Sequence, residues 1–297
     1  MNPLLSLLLA LPALRGPAQE APVHPAEFWR GIVEQGHRLP EGDSAFELLV
    51  ELSSYLGSPD PALRDDCAYG IAAAWIVRRQ LLDEDELRAL CELWSRNLEV
   101  EIGAAGDDSV LLRSFSALDL SLIAAYDAEH PFLGDEGYAK LLESALGYLE
   151  RERDLRGWVE GLGWCHAAAH TADLLKFLAR SPRLDPAGQY AILAGVARRL
   201  RETDGYVFVH GEDERLAAVA VSILGREDLD TEAFEDFLGE LAATAKLPAE
   251  FDPRAFAALQ NSKNLLRALH VRLALAGDLS PPLAELRGRV LATLAKL

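Results

Sequence analysis

Residues 60–80 read DPALRDDCAYGIAAAWIVRRQ, and this stretch decides the fold. Asp60 suits a helix N-cap, and Pro61 a first turn whose backbone N–H has no intrahelical partner. The apolar residues that follow recur at three- and four-residue spacing, the period of one helix face, without strand-like alternation. The same pattern extends in both directions. Upstream it predicts helices over 25–36 and 44–56. Downstream it predicts 83–102, 108–128, 137–153, 158–179, 186–201, 213–224, 231–245, 253–276 and 281–295.

Read as pairs, the first helices open near residues 60, 108, 158, 213 and 253. Helical-hairpin repeats produce such spacing: no pair buries its apolar stripe alone, so neighbours stack. The expectation is an all-α protein forming a single α-solenoid, a HEAT/armadillo-like α/α superhelix over residues 25–297. A closed α/α toroid is the competing arrangement, and the open arc is preferred.

Half of the 297 residues are hydrophobic and 26% are charged, enough apolar material for a large core. The net charge of −18 repels polyphosphates, so nucleic acid is excluded as an expected partner, and with it a DNA-gripping helical repair protein. Anionic membrane surfaces are disfavoured on the same ground. Pro3 to Leu14 forms an apolar run too short to span a bilayer, followed by the small-residue pattern Gly16-Pro17-Ala18. Residues 1–18 therefore read as a secretory signal, although no Lys or Arg precedes the run. Export to the periplasm or medium, with no membrane span after cleavage, is the resulting expectation. Cys67, Cys91 and Cys165 are too few for a disulfide framework. Cys67 and Cys91 fall on consecutive helices, so a bridge between them is one option and buried thiols the preferred one.

The pointed chemistry lies at His166, His170 and Asp173. On a continuous helix, positions i, i+4 and i+7 share a face, where two imidazoles and a carboxylate suit Zn²⁺ with an open water position. Glu160, Glu212 and Glu214 are the candidate general bases, and His210 a further ligand. Spacing alone equally describes an ordinary helix interface. Asp213 reads as an N-cap. Arg64, Asp65 and Asp66, and Asp108 with Arg113, read as an Arg–Asp network between repeats, because adjacent carboxylates on a helix diverge. Asn261, Lys263 and Asn264 reach the inner surface or face solvent, and Trp75, Trp94 and Trp158 read as core fillers. Neither a nucleophile elbow nor a phosphate-cradling or dinucleotide-binding glycine loop occurs.

Four segments, residues 60–76, 107–123, 152–175 and 211–217, together resemble a bacterial family known as domain of unknown function 2785. The most specific is ERDLRGWVEGLGWCHAAAHTADLL, residues 152–175, with Trp158, Gly163, Trp164, His166, His170 and Asp173 in the pattern. Cys165 departs from it, standing where a small residue is expected. The resemblance implies a helical protein and places His166, His170, Asp173, Glu212 and Arg215 in the family pattern, without implying an activity. Two readings follow. The first is a binding or scaffold module presenting a concave polar surface to a peptide, protein or small ligand; the second is a zinc-dependent hydrolase built on the histidine pair.

Overall fold

The computed structural model describes residues 24–277 and 280–297. The signal-sequence reading falls on residues outside that range. The described chain is mostly helical. Its helices begin where short polar side chains close the first turn. Asp83 accepts the Glu86 N–H at 2.9 Å while Glu86 accepts the Asp83 N–H at 3.0 Å, a reciprocal cap on α4, Glu84–Asn97. Asp185, Asp230 and Asp252 cap α8 (Pro186–Arg201), α10 (Thr231–Ala243) and α11 (Pro253–Leu275) by accepting a first-turn N–H, without the reciprocal bond.

Preceding α4 are α1 (Ala26–Glu34), α2 (Ala45–Leu52) and a widened helix in which α3 (Gly70–Ala73) is flanked by π-helical turns at Ala62–Tyr69 and Ala74–Arg78. The remaining helices are α5 (Ser109–Glu129), α6 (Gly134–Arg151), α7 (Ala167–Leu178), α9 (Glu212–Leu224) and α12 (Pro281–Leu294). They pack in two rows. In one, α5 lies on α7, α7 on α9 and α9 on α11; in the other, α4 contacts α6, α6 contacts α8, α8 contacts α10 and α10 contacts α12. Helix α5 is long and apolar enough to cross a bilayer by length and composition, yet it is buried along most of its length, at the end of the first row and against α4 and the segments before it.

One expected helix is absent as such. Residues 158–166 are not helical: Trp158–Val159 pairs antiparallel with Gly163–Trp164, and α7 begins only at Ala167. Gly161 and Gly163 adopt φ of +79° and +81°, conformations that break a right-handed helix and turn a hairpin. Trp158 is consequently half exposed rather than a core filler, whereas Trp75 and Trp94 are buried as expected. Cys67, Cys91 and Cys165 are buried free thiols, and burial pushes Cys67 up to about 11 and Cys91 up to about 12.

Candidate functional site

The hairpin between α6 and α7 is anchored from three directions. Arg113 and Glu152 are both buried and form a paired contact, Nε to Oε2 at 2.6 Å and Nη2 to Oε1 at 3.1 Å. Arg113 also donates to the carbonyls of Val100 and Glu101 and to Ser109 Oγ, while Glu152 Oε1 accepts the N–H groups of Arg153 and Asp154. A buried ion pair endures when its remaining donors and acceptors are used in this way. The expected partner of Arg113 was Asp108; the true one is Glu152, brought over by the end of α6. Asp154 then ties the Gly106 N–H at 2.9 Å and the Arg156 guanidinium to the hairpin base.

Arg64 holds the hairpin tip. It is fully buried, pairs with Asp65 at 3.0 Å, and donates from Nη2 to the Leu162 carbonyl at 2.9 Å. Gly163 lies so close that a Cβ would come within 3.1 Å of that guanidinium and 3.3 Å of Pro61. Asp66 is exposed and takes no part.

His166 ends the hairpin in a left-handed conformation, φ +50° and ψ +31°. This region costs a non-glycine residue on the order of 1 kcal/mol and persists only where surroundings impose it. Here they do: the ring stacks on Trp164 at 4.1 Å and its Nε2 lies 3.1 Å from the His210 carbonyl. A carbonyl only accepts, so Nε2 carries the proton and Nδ1 the lone pair. Burial, reinforced by the Arg215 charge, lowers His166 to about 4, so the ring is neutral at physiological pH.

His170, one turn into α7, adopts the opposite tautomer. Ser114 gives its single proton to the Cys165 carbonyl, so the 2.8 Å contact between Ser114 Oγ and His170 Nδ1 requires Nδ1–H as donor. Burial holds His170 well below the usual imidazole range, with His166 adding to the shift. The two rings meet edge to face at 5.7 Å.

Asp173 does not join them. It bonds Lys176 at 3.0 Å and Arg215, an ion pair that links α7 to α9. The shared helix face expected for His166, His170 and Asp173 fails because His166 precedes the helix. Among the described residues, no group of three or more His, Cys, Asp or Glu side chains is arranged to hold a metal ion.

The turn leading into α9 completes the cluster. Asn261 on α11, fully buried rather than facing solvent, accepts the Phe208 N–H at 2.8 Å and donates to the Leu200 and Tyr206 carbonyls. This fixes Tyr206, His210 and Glu212. Glu212 Oε2 accepts the His210 N–H at 2.8 Å, but its Oε1 is buried without a partner, 4.0 Å from His210 Nδ1. Burial raises Glu212 above the ordinary carboxylate range, against the pull of the backbone N–H groups it accepts. Gly211, not Asp213, is the N-cap of α9; Asp213 lies within the first turn, and burial raises its carboxyl as well. Glu160 and Glu214 are exposed, Glu160 in the hairpin turn and Glu214 on α9. Lys263 and Asn264 are half-buried on α11.

The structure thus brings together Trp164, His166, His170, His210 and Glu212, and adds Ser114, Tyr206 and Asn261, which the sequence reading either passed over or left unplaced. Trp158 and Val209, both half or more exposed, flank the cluster in sequence, one beside each arm. The fold and the cluster define an all-α protein with a loop-borne polar site at the N-terminal ends of α7 and α9. A family model described as "Protein of unknown function (DUF2785)" matches residues 98–271, and the chain belongs to that family. Comparison with curated proteins and with solved structures gives no match.

Proposed function

We propose that this chain is an exported binding protein, a single superhelix of stacked helix pairs whose ligand site lies where the 156–166 hairpin meets the 206–212 turn. The two rows of helices, each helix packed on the next in its row, support the superhelical reading. Export rests on the apolar run of residues 3–14 and the small residues after it.

The observation that carries the site is Glu212. Buried polar atoms are nearly always satisfied, and one that is not calls for an explanation. Its Oε1 lies beside His210, itself one-third exposed, in a cluster whose outermost ring is Trp158, packed edge to face on Trp164 at 4.9 Å. Such a set suits a small polar molecule with one apolar face: the indole covers the face, and the carboxyl and imidazole take its polar edge.

The test is a titration of tryptophan emission with a panel of saccharides, short peptides and organic amines. A binder from that panel is expected to act on the wild type and to lose its effect with Trp158→Phe and with Glu212→Gln, at unchanged melting temperature. Binding that survives both substitutions, or no binding by any member of the panel, overturns the site.

A further inference from the structure

The charge of the chain is unevenly divided. Residues 253–297, the α11–α12 hairpin, carry seven Lys and Arg against two Asp and Glu, whereas the remainder carries 22 against 45. Helix α11 itself contains no acidic residue. Arg254 and Arg289 are paired, but Arg267, Arg272 and Arg287 have no carboxylate within 4 Å among the described residues.

The same hairpin exposes apolar surface at helical spacing. On α11, Arg267, Val271 and Leu275 form one stripe, with Val271 51% and Leu275 80% exposed. Along α12 and its C-cap, Ala284, Gly288, Leu291 and Ala295 form another, all exposed and all small or apolar, so a neighbouring backbone can approach closely. The hairpin therefore turns a basic and apolar face to its surroundings.

A complementary surface lies on the same molecule. Along the second row, a furrow crosses α6, α8 and α10 through three adjoining depressions of about 540, 280 and 490 Å³. Leu146 and Glu150 are common to the first two, Tyr190, Ala194 and Arg198 to the second two. Tyr190 is half exposed, and Leu142 and Leu146 give the furrow an apolar floor. Its arginines are all committed: Arg183 to Asp127, Arg198 to Glu150, Arg201 to Glu240, and Arg199 to backbone carbonyls. Glu143, Glu202 and Asp236 have no cation within 4 Å among the described residues, which leaves the furrow acidic.

We infer that the basic, apolar face of α11 and α12 docks into the acidic α6–α8–α10 furrow of a second copy of this chain. Apolar surface meets apolar surface while Arg267, Arg272 and Arg287 find the unpaired carboxylates. Docking a basic face on its own image would oppose like charges, so the contact is heterologous, and association builds a ring where the rotation closes and an open chain where it does not.

Sedimentation velocity of the purified chain tests this. The average mass is expected to rise above the 32.4 kDa monomer across the micromolar to millimolar range and to fall back with added salt. Leu275→Glu and Tyr190→Glu, both at exposed positions, are each expected to leave a monomer with an unchanged circular dichroism spectrum and melting temperature. Mixed together, they are expected to form a one-to-one dimer and no larger species, because each retains the half that the other lacks. A wild type that stays monomeric throughout, association unaffected by either substitution, or variants that fail to complement would each overturn the inference. Should Leu275→Glu disturb folding, Arg272→Glu with the reciprocal Glu143→Arg makes the same comparison through charge alone, and failure of that pair to restore association counts against it.

Discussion

Gly157 lies against the ring of His210 so closely that a Cβ on it would come within 2.3 Å of Nδ1 and 2.6 Å of Cγ. The backbone of one arm of the site therefore sets the position of the imidazole on the other. Gly157→Ala is expected to push His210 outward, because that ring is one-third exposed and has room to move. The stability loss should be about 1 kcal/mol, at the low end for an overpacked contact. Denaturant unfolding gives the loss, and a change in the His210 ring resonances, whose ring lies edge to face with Trp164 at 6.0 Å, reports the movement.

His166 and His170 make stability depend on acid. Both are held neutral in the fold, with His166 at about 4 against 6.5 when unfolded. Between those values the unfolded chain binds more protons, so the stabilisation is complete above pH 6.5 and is lost as pH falls toward 4. The full share of His166 is on the order of 3 kcal/mol. Urea unfolding at pH 7.5 and pH 5 should show a smaller loss in His166→Asn than in the wild type. Asn also tolerates the left-handed backbone. An equal loss in both proteins would show that the ring does not govern the acid response.

Asp119 works in the opposite sense. It is buried in the middle of α5, its Oδ1 has no partner, and burial raises its carboxyl well above the usual range. Folding then favours the protonated acid, so stability is unpenalised below the unfolded value near 3.9 and declines as pH rises through the folded one. Asp119→Asn is expected to raise stability at pH 7.5 by about 1 kcal/mol and to do nothing at pH 4. The two unfolding curves check it, and a destabilised variant at neutral pH would refute it.

The helices were legible because their signals are local. Asp83 with Glu86, Asp185 with Pro186, and Asp252 with Pro253 sit where the caps form, and the apolar stripes between them have the right period. The hairpin is not legible because Trp158 to Ala179 keeps enough apolar and alanine content to resemble a helix, while Gly161 and Gly163 act only through their positive φ. A continuous helix would place Trp158 in the core and His166 on one face with Asp173; the hairpin puts Trp158 at the surface and His166 ahead of the helix. Arg113 with Glu152, 39 residues apart, and Asn261 with Phe208, 53 apart, depend on tertiary packing that no spacing rule contains. An Asp119 or Ser114 within an apolar helix was the available hint of buried polarity, since such residues rarely enter a core without a reason.

Arg64 reaches across 98 positions of sequence to the Leu162 carbonyl, yet it stands outside residues 98–271, the span by which the family is recognised. A fragment excised at those limits would keep His166, His170, His210 and Glu212 while losing the clamp on the hairpin tip. A fragment meant to hold the hairpin tip as the full chain does must therefore reach back to Arg64, beyond the span that identifies its kin.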